Sequence, residues 1–134
     1  MKIIVVDDNE EFLTNITFFL EKRLNHTVIA SFSDGESFFN ALADLSPDII
    51  LMDISLPGLD GYSITKKINW EYHYYNVLAL TMFKDIAYLQ KLIEVGFKGC
   101  VFKSDVYNDL PLAIDAVING KYFWPDGIDM KNYK

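Results

Sequence analysis

The fold is decided by the stretch IILMDISLPGLDG at residues 49–61. Four consecutive apolar residues lead into Asp53, and the segment after it is rich in residues that form turns. A continuous apolar run without polar alternation is typical of a strand that is covered on both faces, as in a parallel sheet. The stretch therefore predicts a buried strand that ends at Asp53 and is followed by a loop.

Similar apolar runs recur on both sides of this stretch and alternate with helical patterns. They lie at residues 3–6, 27–30, 77–80 and 100–102. Parallel strands need crossover connections, which usually contain a helix and are nearly always right-handed. We therefore predict an α/β fold, namely a flavodoxin-like, doubly wound, five-stranded parallel sheet in the order 2-1-3-4-5 with five helices.

Capping residues indicate where helices 1, 2 and 4 begin, and turn-forming residues indicate the start of helix 3. Asn9 and Asp85 are predicted N-caps of helices 1 and 4. The segment from Ser33 to Glu36 has the spacing of a capping box for helix 2. A short helix 3 is expected after Gly61, where the turn-forming segment ends.

The last helix is bounded by residues that favour helix ends. We expect helix 5 to start at Asn108 or Asp109, because Pro111 is then in its first turn. Gly120 is expected to close it, since glycine readily adopts the left-handed conformation that ends many helices.

Charge and composition exclude several classes of function. The 134-residue chain has 19 acidic and 12 basic residues, which gives a formal net charge of -7. Such a surface repels phosphate backbones and anionic membranes, so we expect neither DNA binding by this chain alone nor a membrane partner. The first apolar run is too short for a signal peptide or a membrane span, and we expect a cytoplasmic protein. The single cysteine, Cys100, excludes an internal disulfide.

Polar residues stand at the carboxyl ends of four of the five predicted strands. These residues are Asp7, Asp8, Asp53, Thr81 and Lys103. In a doubly wound sheet, ligands bind beyond this edge, at the switch point between strands 1 and 3. Three carboxylates at one edge repel each other unless a cation neutralises them, and Mg²⁺ commonly binds one or two carboxylates together with phosphate oxygens. The pattern predicts a magnesium site beside Asp53.

The same residues suit phosphoryl transfer to a carboxylate. Aspartate is a known nucleophile that forms an aspartyl phosphate. The hydroxyl of Thr81 and the ammonium of Lys103 are expected to contact the phosphoryl group, where charge develops during the transfer.

Residues 1–120 resemble the receiver domain of two-component response regulators. The motifs that carry the resemblance are VVDDN at residues 5–9, LMDISLPGLDG at residues 51–61, LT at residues 80–81 and GCVFK at residues 99–103. The resemblance implies that Asp53 is the phosphoacceptor and that Asp7, Asp8, Asp53 and the backbone carbonyl of Ser55 hold Mg²⁺. It also implies that Thr81 and Lys103 contact the phosphoryl group.

The segment from Gly96 to Pro125 further resembles the NarL/FixJ-like subfamily. We therefore expect residues 1–120 to be the receiver domain and residues 121–134 to be a C-terminal tail or the start of a linker to an effector domain absent from this chain. The resemblance implies a sensor histidine kinase or phosphotransfer protein as donor, a homodimer on phosphorylation, and DNA contact only through the effector domain. The expected output is transcription, without turnover of a separate substrate.

Two positions depart from the family pattern. Receivers usually have Tyr or Phe three residues before the strand 5 lysine, as a side chain that turns inward on activation, whereas this chain has Cys100. Many receivers follow that lysine with a cis proline, whereas Ser104 follows Lys103 here, so a trans bond is expected.

Other interpretations of these residues are open at this point. A magnesium-dependent phosphatase of the haloacid dehalogenase type also uses a strand-end aspartate, although its signature is Asp-x-Asp and this pair is adjacent. A flavodoxin would need a hydroxyl-rich and glycine-rich loop after strand 1, where this chain is acidic. Taken singly, Asp7 and Asp8 could form a capped turn, Thr81 could bond to the backbone, and Lys103 could be an exposed amine.

Overall fold

The structure is a computed structural model that describes residues 1–72, 75–82 and 84–125. Within these residues the strands form one five-stranded parallel sheet in the order β2-β1-β3-β4-β5. The strands are β1 (Lys2–Val6), β2 (Thr27–Phe32), β3 (Ile49–Asp53), β4 (Val77–Thr81) and β5 (Gly99–Phe102). The predicted flavodoxin-like topology is confirmed.

A helix follows each strand, as the sequence predicted. In the described part of the chain the helices are α1 (Glu10–Phe18), α2 (Gly35–Leu42), α3 (Gly61–Glu71), α4 (Ile86–Val95) and α5 (Val106–Ile118). A π-helical turn, Phe19–Arg23, extends α1, and a 3-10 turn, Lys103–Asp105, precedes α5. The predicted caps Asn9 and Asp85 are confirmed, since each side chain accepts a hydrogen bond from a backbone N–H of the first helical turn.

Two helix starts differ from the prediction. The N-cap of α2 is Asp34 rather than Ser33, because its carboxylate accepts hydrogen bonds from both the N–H and the hydroxyl of Ser37. Helix α5 begins at Val106, before Asn108 and Asp109, because the 3-10 turn leads directly into it and Val106 is buried as its first residue.

Pro111 and Gly120 mark the interior and the end of α5. Pro111 therefore lies in the second turn of the helix rather than in the first. Gly120 has a φ of 78° just beyond the last helical turn, which confirms that it closes the helix.

The sheet separates two apolar cores, because successive side chains of a strand point to opposite faces. Ile4, Val6, Ile50 and Met52 pack on the side of α2, α3 and α4. Their strand neighbours, such as Val5 and Leu51, pack on the side of α1 and α5. Since both faces are covered, polar ligands can reach the sheet at its edges.

The segment after α5 pairs with the outer edge of β5. We call residues 121–125 the strap. Phe123 forms a parallel bridge with Gly99; its N–H donates to the Lys98 carbonyl at 3.1 Å, and its carbonyl accepts from the Cys100 N–H at 2.9 Å. Residues 126–134 of the predicted tail lie outside the described residues. Within the described part of the chain, no helix is long and apolar enough to cross a membrane.

Candidate functional site

The register of the sheet brings the predicted polar residues to one edge. Val6 pairs with Met52 and Asp53 pairs with Leu80, so Asp7 follows β1 beside the end of β3. Thr81 ends β4 in register with Phe102, the residue before Lys103. The convergence expected from the topology is therefore present in the structure.

The three aspartates lie close enough to share one cation. Asp7, Asp8 and Asp53 each offer a carboxylate oxygen, and these oxygens all lie within 4.8 Å of one another. Asp7 and Asp53 are buried, whereas Asp8 is exposed to solvent. A cluster of carboxylates with water access on one side suits Mg²⁺, which prefers oxygen ligands and retains several waters.

Lys103 is the internal counter-charge of this cluster. Its Nζ lies 2.7 Å from Asp7 Oδ2 and 3.5 Å from Asp53 Oδ2, and its side chain is 15% exposed. The ammonium also lies 4.6 Å from the ring centroid of Phe12, within reach of a cation–π interaction. Lys103 is thus bound by two carboxylates and by one aromatic face of α1.

Asp53 is held by its own loop. Its Oδ1 accepts a hydrogen bond from the backbone N–H of Ser55 at 3.1 Å. Burial raises the pKa of Asp53 and the charge of Asp7 raises it further, while the Ser55 N–H and Lys103 act in the opposite direction. A second cation at the site would favour the ionised carboxylate, which is the form that can act as a nucleophile.

Asp7 is oriented by the start of α1. Its Oδ1 accepts from the Asn9 N–H at 2.8 Å, and Asn9 in turn caps α1 by accepting from the Phe12 N–H. This leaves the fully buried Oδ2 of Asp7 with the Lys103 ammonium as its close neighbour. The turn after β1 therefore aims one carboxylate oxygen into the site.

Gly61 allows α3 to begin directly against the acceptor strand. A Cβ at this position would overlap the backbone carbonyl of Asp53 and the Cα of Ile54. The Gly61 N–H donates to the Ile54 carbonyl at 3.0 Å, which closes the loop over residues 54–61. The glycine is required here by close backbone approach.

Cys100 lies inside the core rather than at the site itself. Its side chain is fully buried in the cluster on the α2–α4 side, and burial raises the pKa of its thiol to about 12. The thiol is therefore neutral and inert at physiological pH. The Lys103–Ser104 bond is trans as expected, since the described residues contain no cis peptide bond.

Two contributors to the site were missed at the sequence level. Phe12 is not among the predicted site residues, although the Lys103 ammonium lies 4.6 Å from its ring centroid. Ser55 was considered for its carbonyl, whereas the contact that the structure gives is from its N–H to Asp53. The position of Phe12 in the first helical turn after Asp7 and Asp8 could have indicated that it lies near the site. No feature of the sequence indicates the hydrogen bond from the Ser55 N–H.

Comparison with known proteins places these features in a family. A sequence model described as the response regulator receiver domain matches residues 3–115. The oxygen regulatory protein NreC of Staphylococcus aureus is 33% identical over 132 residues, which make up 98% of this chain and 59% of NreC. The chain thus spans less than two thirds of that relative.

Solved structures agree in both sequence and fold. The isolated REC domain of RcsB from Salmonella enterica serovar Typhimurium, in the presence of phosphomimetic BeF3⁻, is 30% identical with a TM-score of 0.86 over 94% of each chain. Its apo form is 28% identical with a TM-score of 0.88, over 100% of this chain and 99% of that one. The match favours the receiver interpretation over the phosphatase alternative. The chain belongs to the response regulator receiver domain family.

Proposed function

We propose that this receiver domain accepts one phosphoryl group on Asp53 in a reaction that needs Mg²⁺. The observation that carries the proposal is the set of three carboxylate oxygens within 4.8 Å of one another, with the Lys103 ammonium against two of these aspartates. Asp7, Asp8, Asp53 and the backbone carbonyl of Ser55 are the proposed metal ligands. The two buried carboxylates and the exposed Asp8 fit a hard, hydrated cation.

The chemistry follows from the environment of Asp53. A bound Mg²⁺ neutralises carboxylate charge and polarises the phosphoryl oxygens. A carboxylate oxygen of Asp53 forms the bond to phosphorus while the bond from phosphorus to the donor breaks, and the leaving group keeps the electron pair. The Ser55 N–H holds Oδ1 in place, so the carboxylate is oriented before the donor arrives.

Lys103 and Thr81 are proposed to bind the transferred group. The ammonium already lies on the site side of β5, 3.5 Å from Asp53 Oδ2, and can follow the negative charge as it develops on the phosphoryl oxygens. Thr81 is buried at the end of the neighbouring strand, where its hydroxyl can donate to the same group. Phosphorylation would then draw the ends of β4 and β5 toward Asp53.

The partners are proposed from the family and from the relatives. We infer that a sensor histidine kinase or phosphotransfer protein in the cytoplasm supplies the phosphoryl group and that no separate substrate is turned over. An RcsB–DNA complex resembles this chain with a TM-score of 0.87 at 30% identity, over 94% of this chain and 64% of that one. We therefore propose that a C-terminal effector domain after the tail at residues 121–134 binds DNA and that phosphorylation promotes a homodimer.

The test is intact-mass measurement after incubation with a small phosphodonor. The chain should gain one phosphoryl group with Mg²⁺ and none with a chelator, and Asp53→Asn should abolish the gain. Asp60→Asn is the matched control, because Asp60 lies on the same loop and asparagine can still cap α3. Labelling of Asp53→Asn at the rate of the unmodified chain would overturn the assignment.

A further inference from the structure

The strap is bound to β5 at the position where receivers usually carry their inward-turning aromatic residue. The Cys100 N–H donates to the Phe123 carbonyl, and the Phe123 N–H donates to the Lys98 carbonyl. Gly99, between these two residues, has no side chain, and a Cβ there would overlap the Phe123 carbonyl oxygen. The sequence of β5 is thus fitted to the close approach of the strap.

Consecutive residues of the strap lie on opposite faces of the sheet. Phe123 packs against the core on the α1 and α5 side, and Trp124 packs against the core on the α2–α4 side. This alternation is the one expected of consecutive strand residues. Trp124 is partly buried against the core cluster that contains Cys100.

Few polar contacts hold the strap to the sheet. One bridge with two backbone hydrogen bonds holds it to the sheet. The indole N–H of Trp124 is buried and, within the described residues, has no hydrogen-bond partner. A buried unsatisfied donor opposes binding and partly offsets the packing of the ring.

Lys84, in the loop after Thr81, lines the same cavity as the end of the strap. Its Nζ lies 3.8 Å from Asp105 Oδ2 and 5.2 Å from the Phe102 ring centroid. A cavity of about 380 Å³ is lined by Lys84, Phe102 and Asp105 together with residues 123–125 of the strap. A movement of this loop toward Asp53 would therefore change the lining of the cavity beside the strap.

We propose that the strap is a latch controlled by the phosphorylation site. It is held on β5 while Lys103 rests on Asp7, and it loosens when a phosphoryl group on Asp53 draws Lys103 and the loop after Thr81 inward. The inference rests on the proposed function and adds an output to it, since the strap leads into the C-terminal end of the chain. By reciprocity, loosening the strap must strengthen binding of a phosphoryl mimic.

Amide hydrogen exchange of the unmodified chain tests the latch directly. With Mg²⁺ and beryllofluoride, the amides of Cys100 and Phe123 should exchange at least about five-fold faster, the lower end of typical coupling between two sites. The Lys98 amide is the matched control, because it donates to Val77 of β4 and not to the strap. Its exchange should not change.

A pair of tryptophan variants tests the reciprocal effect. Trp124→Ala should bind beryllofluoride at least about five-fold more tightly, whereas Trp70→Ala, which removes a tryptophan that is 82% exposed on α3, should bind it as the unmodified chain does. Absence of any beryllofluoride binding would overturn both the proposed function and the latch. Normal binding with unchanged exchange at Cys100 and Phe123 would overturn the latch alone, and this comparison needs no variant to fold.

Discussion

Replacing Lys103 by methionine should destabilise the metal-free chain by about 2–3 kcal/mol. At 2.7 Å and an effective dielectric constant of about 20, the Coulomb attraction between the ammonium and Asp7 is about 6 kcal/mol before desolvation is subtracted. Removing one partner of a buried pair typically costs about 3–5 kcal/mol. The loss of stability expected for Lys103→Met is smaller, because the Lys103 side chain is 15% exposed and Asp7 still accepts the hydrogen bond from the Asn9 N–H.

The assay is urea unfolding of Lys103→Met and of the unmodified chain, with a chelator and with Mg²⁺. The variant should remain folded. Mg²⁺ should reduce the difference in free energy of unfolding between the variant and the unmodified chain, since it neutralises the same carboxylates without competition from the ammonium. Lys84→Met is the control, because Lys84 is 60% exposed in a 3.8 Å pair and its loss should cost under about 1 kcal/mol. Equal stability of Lys103→Met and the unmodified chain in chelator would refute this account of the site.

Three further perturbations follow from the same geometry. Asp8→Ala should weaken Mg²⁺ binding about ten-fold by calorimetry, a loss of roughly 1.4 kcal/mol, since it removes one of three carboxylate ligands; unchanged affinity would contradict its role. Gly61→Ala should lower the free energy of unfolding by more than about 2 kcal/mol in urea, because a Cβ would overlap the Asp53 backbone. In chelator, stability should fall as pH rises from the ordinary value of 3.8 through the raised pKa of Asp53, because the folded state binds that proton more tightly. Asp53→Asn should therefore have a higher free energy of unfolding than the unmodified chain at neutral pH, and the two should become equal below the ordinary pKa of 3.8. A difference in stability that does not depend on pH would refute the raised pKa of Asp53.

The sheet could be predicted because local sequence patterns indicate its strands. The runs at residues 3–6 and 49–52 have no polar alternation, and both are fully buried on the two faces of the sheet. The site could be predicted because topology, rather than local sequence, brings strand ends together. Once the order 2-1-3-4-5 is inferred, Asp7, Asp53 and Lys103 must meet at one edge.

Other features depend on tertiary contacts that no local pattern encodes. The early start of α5 follows from the burial of Val106, and the choice of Asp34 over Ser33 as N-cap follows from two bonds to Ser37. From the sequence alone, the ring of Phe12 could lie wholly in the core. Its position over Lys103 depends on how α1 packs against the sheet.

The two sides of the site contact Asp53 in different ways, through backbone atoms on the α3 side and through a side chain on the β5 side. On one flank, helix α3 touches the acceptor backbone without an intervening side chain, so Asp53 and the first turn of α3 must move as one body. On the other flank, Lys103 meets Asp7 and Asp53 at the end of a flexible side chain. We therefore expect a displacement that begins at Asp53 to be larger on the β5 side of the site than on the α3 side.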